Sequence, residues 1–165
     1  MSKVIPKKKR EVHVHNSHDK LRYTLSEVES LYHHLDLSGF FPIPEGDLSI
    51  AILSQKEMEQ LHADFLQDPT LTDVITFDGD SDAQTAGEIC VSPDYAMSYA
   101  ARHSLSPSEE LTLYLVHGYL HLSGHDDRTP PDKQKMRRAE KKAVTFLREQ
   151  NAIPSFEGLS CEASD

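Results

Sequence analysis

The sequence predicts an α+β fold, a small mixed sheet of about four strands packed against helices, and three observations carry that prediction. Short β-type runs and longer segments of helical periodicity both mix and alternate along the chain, without a strict strand–helix repeat. One segment, 107–122, is apolar on nearly all sides, which marks a helix buried at the centre of the domain. The 165 residues, 38% of them hydrophobic, are enough for a single core without cross-links.

The elements follow in order. Glu11-Val12-His13-Val14-His15 alternates with period two and reads as a strand. Leu25, Val28, Leu31, Leu35 and Leu37 keep helical spacing over 24–37, with Thr24 and Glu27 as a capping box and Gly39 as the stop. Residues 47–54 read as a strand and 55–65 as a helix ended by Pro69. Val74-Ile75-Thr76-Phe77 is β-rich, an acidic loop follows over 78–82, and 88–92 reads as the next strand. Pro93 opens a helix to about His103. Ser106-Pro107-Ser108-Glu109 is the clearest start signal: a cap, a proline at the first helical position and a capping-box glutamate. The helix it opens is the buried one, with Gly124 placed to stop it. A last amphipathic helix covers about 131–149, with Met136, Ala139, Ala143, Phe146 and Leu147 inward. With no repeats or linker, 1–150 is expected to be one domain, and 151–165, which lacks periodicity, a flexible tail.

Composition narrows the function. No apolar run reaches the roughly 18–20 residues of a membrane span, and no apolar stretch follows the basic residues 7–10 as in a secretory signal. Two distant cysteines, Cys90 and Cys161, fit a reducing compartment, so a cytoplasmic protein with no membrane partner is expected. The net charge of −10 argues against sequence-blind nucleic-acid binding. That charge is uneven, however. Residues 1–10 and 128–142 each carry +5, leaving −20 on the rest. The second segment holds Arg128, Lys133, Lys135, Arg137, Arg138, Lys141 and Lys142 against Asp132 and Glu140, a candidate phosphate-contacting patch as well as a solvated helix face.

The chemistry concentrates in HGYLHLSGHDD over 117–127. His117 and His121 are four apart and share one face of the buried helix, where two imidazoles are costly unless a ligand satisfies them. Gly124 lets the chain turn and bring His125, Asp126 or Asp127 back to the same point. Three protein ligands and an open position is the pattern of catalytic zinc, and neither cysteine is near enough for a structural cysteine-rich site. A metalloprotease would need a glutamate directly after the first histidine, and Gly118 stands there. The other seven histidines are scattered and read as surface or packing residues.

This motif resembles the signature H-G-x-L-H-L-x-G-Y-D-H of the YbeY-type endoribonucleases and ribosomal RNA maturation factors. Upstream, LHADFLQDPTLTDVITF over 61–77 is similar to the family stretch ending in P-T-D-V-L-S-F. AGEICVS over 86–92 resembles the family strand L-G-D-I-x-I-S. The resemblance spans about residues 47–150. It implies an α+β fold, one zinc ion at the end of the central helix, and single-strand-directed RNA cleavage in ribosomal RNA maturation. The implied partners are ribosomal RNA and the small ribosomal subunit or its assembly proteins. Three positions depart from the pattern. His125 replaces the family tyrosine, Asp127 replaces the third histidine ligand, and Leu66 stands where the family has an arginine. A carboxylate is a competent zinc ligand, so His117, His121 and Asp127 are the expected set, with His125 the rival third ligand. Asp126 or His125 is expected to orient a ligand or shuttle a proton. Arg128 or the basic face 133–142 would replace the missing arginine. Two other functions stay open: a ribosome-associated assembly factor with a mainly structural metal, and a metal-dependent hydrolase of a non-RNA substrate.

Overall fold

The computed structural model describes residues 9–160 and is α+β, as expected. Among the described residues nine elements follow one another: β1 (Val12–Asn16), α1 (Leu25–Ser38), β2 (Asp47–Ile52), α2 (Gln55–Leu66), β3 (Val74–Asp78), β4 (Thr85–Val91), α3 (Pro93–His103), α4 (Pro107–Leu122) and α5 (Pro130–Glu149). The sheet order is β1-β2-β4-β3. β1 and β4 both run parallel to β2, and β3 closes one edge antiparallel to β4. Among the described residues, no helix is long and apolar enough to cross a membrane.

Alternation assigns the two faces of the sheet. Val12, Leu48, Ile50, Ile52, Ile89 and Val91 join α1, α4 and α5 in the main core. Ala51, Ile75 and Cys90 point the other way and meet Met58 of α2 in a smaller cluster. Two glycines let α4 lie close on β4. A Cβ on Gly118 would sit 2.4 Å from Ile89 Cγ2, and one on Gly87 would sit 2.5 Å from a Leu122 methyl. Gly118 is therefore a packing residue, its face turned to the sheet and away from the site. Tyr119 and Tyr32 stack at 6.0 Å in the core, and the Tyr119 hydroxyl donates to Asp36 Oδ1 (2.8 Å), whose other oxygen takes Arg10.

Ser54, Ser92, Ser106 and Thr129 cap α2, α3, α4 and α5 through their side-chain oxygens. Three expectations are corrected. Thr24 precedes α1 but makes no side-chain cap, and Glu27 instead accepts the Ser155 backbone N–H at 3.0 Å. α2 ends at Leu66, within one residue of the expected Phe65, but what stops it is Gln67 turning into the left-handed region (φ 54) and not Pro69. Residues 151–160 are not a loose tail. Ala152, Phe156 and Leu159 are buried, and Glu157 pairs with Arg22 through two backbone hydrogen bonds. Single apolar residues, spaced without a period, dock that segment on the core. Cys161 and the rest of the expected tail lie outside the described residues.

Candidate metal centre

α4 carries His117 and His121 one turn apart near its C-terminal end, their rings edge to face at 4.6 Å. The chain then reverses. Ser123 ends the helix, Gly124 takes φ 100, and the amides of Gly124 and His125 return to the carbonyls of His121 and Leu120 at 3.0 Å. Asp126 Oδ1 accepts the Asp127 N–H at 2.8 Å, which shapes the loop just where Asp127 turns back. Asp127 Oδ2 ends 3.5 Å from His117 Nε2, and its Oδ1 3.8 Å from His121 Nε2.

Those separations are long for hydrogen bonds. They match another geometry better. Ligand atoms about 2.0–2.1 Å from a tetrahedral zinc lie roughly 3.3 Å from one another. Two imidazole nitrogens and a carboxylate oxygen, all within 4.8 Å of one another, thus form a near-ready face of such a tetrahedron. The position at the C-terminal end of α4, the negative end of the helix dipole, also favours a cation. The residues present fit the metal that the motif implies.

Outside the donor triangle, Glu140 Oε1 of α5 accepts from His117 Nδ1 at 2.9 Å. Burial disfavours protonating His117, but the hydrogen bond and charge of Glu140, with Asp127 and Asp73, hold its pKa above the ordinary histidine value. For His121 the balance is reversed: burial and the neighbouring His117 charge push its pKa down. Without metal, the pair therefore takes its first proton on His117.

The structure brings three of the five predicted site residues together. His125 does not join the triangle. Its ring stands edge-on to Phe41 at 5.6 Å, and its buried Nδ1 has no hydrogen-bond partner among the described residues. Asp126 faces outward, 3.8 Å from the exposed Arg128. Glu140 was missed because it sits in a basic stretch. The available signal was its place in the stripe Met136, Glu140, Ala143, Leu147, where three of four side chains are buried.

Elsewhere among the described residues, Glu11, His13 and Asp47 also gather potential ligands, but at the exposed far edge of the sheet. An open groove of about 620 Å³ lies on the α2 face, lined by His15, Glu57, Phe65, Phe77, Glu88 and Cys90 among others, and holds none of the predicted ligands. Leu66 is exposed at the end of α2.

Comparison with known proteins gives a consistent answer. The sequence model of the family described as Endoribonuclease YbeY matches residues 7–148. The Endoribonuclease YbeY of Protochlamydia amoebophila is 42% identical over 106 residues, which cover 62% of this chain and 71% of that protein. Its namesake from Chlamydia pneumoniae is 32% identical over 150 residues, covering 86% of this chain and 94% of the other. A solution structure of a Thermotoga maritima protein matches with a TM-score of 0.60 over 93% of this chain and 99% of that one; at 22% identity it speaks for the fold alone.

Proposed function

Because this chain belongs to the Endoribonuclease YbeY family, we propose that it hydrolyses single-stranded RNA at a zinc site made by His117, His121 and Asp127, and that it acts in ribosomal RNA maturation. The family makes the chain an endoribonuclease, a hydrolase of phosphodiester bonds. Its substrate would be precursor ribosomal RNA, its partners the small ribosomal subunit or assembly proteins bound there, and its compartment the cytoplasm.

The observation that carries this reading is the donor triangle, two histidines fixed on a buried helix and a carboxylate returned to them by the Gly124 turn. When bound, zinc supplies Lewis acidity toward a phosphoryl oxygen and makes a water acidic enough to attack near neutral pH. The rest falls to the chain. His117 and His121 present Nε2 from a rigid helix, and Asp127 adds a negative charge, so the site is a weaker Lewis acid than one with three imidazoles. Asp126 positions Asp127 through its amide. His125 packs on Phe41 and acts by holding the loop. Lys133 and Arg137, seven and three residues before Glu140, share its side of α5 and are exposed. They are our candidates for holding RNA phosphates where Leu66 replaces the family arginine.

Cleavage of a single-stranded RNA by zinc-loaded protein, with a chelator arm and a His121→Ala arm, tests the proposal. Cleavage should fall to background in both arms. Activity that survives both would refute it. The exposed Leu66 favours a second reading, an assembly factor with a mainly structural metal. Rescue of a ribosomal RNA processing defect by a cleavage-dead variant would select that one.

A further inference from the structure

We propose that Glu140 is a positioning residue for the metal centre, fixing the tautomer of His117 that leaves Nε2 free to bind. The inference rests on the zinc reading above and extends it to a residue on another helix. A neutral imidazole carries one N–H and one lone pair, and nothing local to α4 decides which nitrogen has which. The Glu140 carboxylate only accepts, and it lies 2.9 Å from His117 Nδ1, so Nδ1 must be the donor. The lone pair is then left on Nε2, the atom 3.5 Å from Asp127 Oδ2.

The geometry is held from both sides. The two side chains are only 16% and 17% exposed, so water competes weakly for the bond. Met136, Ala139, Ala143 and Leu147 anchor α5 around Glu140, and Thr129 caps its start. In a segment otherwise rich in lysine and arginine, this acidic side chain turns inward, where an ordinary surface glutamate would face solvent and its cationic neighbours. His121 Nε2 instead faces Asp127 Oδ1 at 3.8 Å, and Glu140 accepts its bond from His117.

The test measures zinc affinity by competition with a chromophoric chelator, using the full chain and its Glu140→Ala, Glu140→Gln and His117→Ala variants. E140A should bind zinc about 10- to 100-fold more weakly. E140Q, whose amide oxygen still accepts from Nδ1, should lose less than E140A. A purely structural tie between α4 and α5 would lower thermal stability in E140A and leave its zinc affinity within twofold of the parent, which would overturn the inference. If E140A does not fold, Glu140→Met fills the space without an acceptor and takes its place. In the metal-free parent, long-range proton–nitrogen spectra at a pH where His117 is neutral should show the Nδ1–H form; the Nε2–H form would equally overturn it. H117A separates the two levels. If H117A binds zinc normally, the zinc reading itself falls. If H117A loses zinc and E140A does not, only the role of Glu140 falls.

Discussion

Replacing Asp127 by alanine removes the one member of the donor triangle that α4 does not carry, and the expected loss can be worked through. Structural zinc is bound by about 10–16 kcal/mol through four protein ligands, or roughly 2.5–4 kcal/mol per ligand. Losing one ligand then weakens zinc by about 10²- to 10³-fold. The Asp127 side chain is 45% exposed and sits on a loop, so the lower end, about 10²-fold, is expected. Chelator competition reads that change directly, and thermal unfolding reads it through linkage. At free zinc 1,000 times the parent Kd, binding stabilises the fold by about 4.1 kcal/mol. The same zinc is only about ten times the Kd of the variant and stabilises it by about 1.4 kcal/mol. The difference, about 2.7 kcal/mol, corresponds to roughly 5–11 °C in the zinc-induced Tm shift for a chain of this length. His125→Ala should keep zinc within about threefold of the parent. The opposite pattern, Asp127→Ala nearly unchanged and His125→Ala depleted, would refute the ligand assignment and make His125 the third ligand.

Three further outcomes are expected. In metal-free protein, the folded pKa of His117 is raised, so its stabilising contribution is full below the unfolded value of about 6.5 and disappears as pH rises through the folded pKa. Urea unfolding should therefore show His117→Gln losing more stability at pH 5.5 than at pH 8.5; a larger loss at the alkaline end contradicts the charge argument. Gly118→Ala should cost a net 1–2 kcal/mol or so, as the clash with Ile89 outweighs the better helix propensity of alanine. An equilibrium unfolding curve shifted to higher urea would show that the α4–β4 approach is not tight. Lys133→Ala and Arg137→Ala should each weaken RNA binding and lower the salt dependence of log K by about 0.7. An unchanged slope in a binding titration would remove α5 from the RNA path.

Much of the fold was legible because the signals are local. Ser106, Pro107 and Glu109 announce the start of α4, and Ser106 does accept the Glu109 N–H. The period-two run Glu11 to His15 gives a strand, and the basic segment with its inward stripe gives α5. Where a local signal competed with a distant partner, the partner prevailed. Glu27 had the spacing of a capping box yet serves Ser155, 128 residues away. Ala152, Phe156 and Leu159 show no period, and only their packing into the main cluster tells that they are core.

The segment 117–127 divides in the same way. The sequence by itself determined that two imidazoles share one helix face, that a turn with candidate ligands follows, and that the peptidase glutamate is missing. Those facts depend on helical spacing and on glycine's access to positive φ, both properties of neighbouring residues. The tertiary structure decided that Asp127 approaches the histidines while His125 packs on Phe41. It also decided that a glutamate 23 residues away bonds to His117. Such choices depend on how the loop closes and how α5 crosses α4, and spacing along the chain carries no information about either.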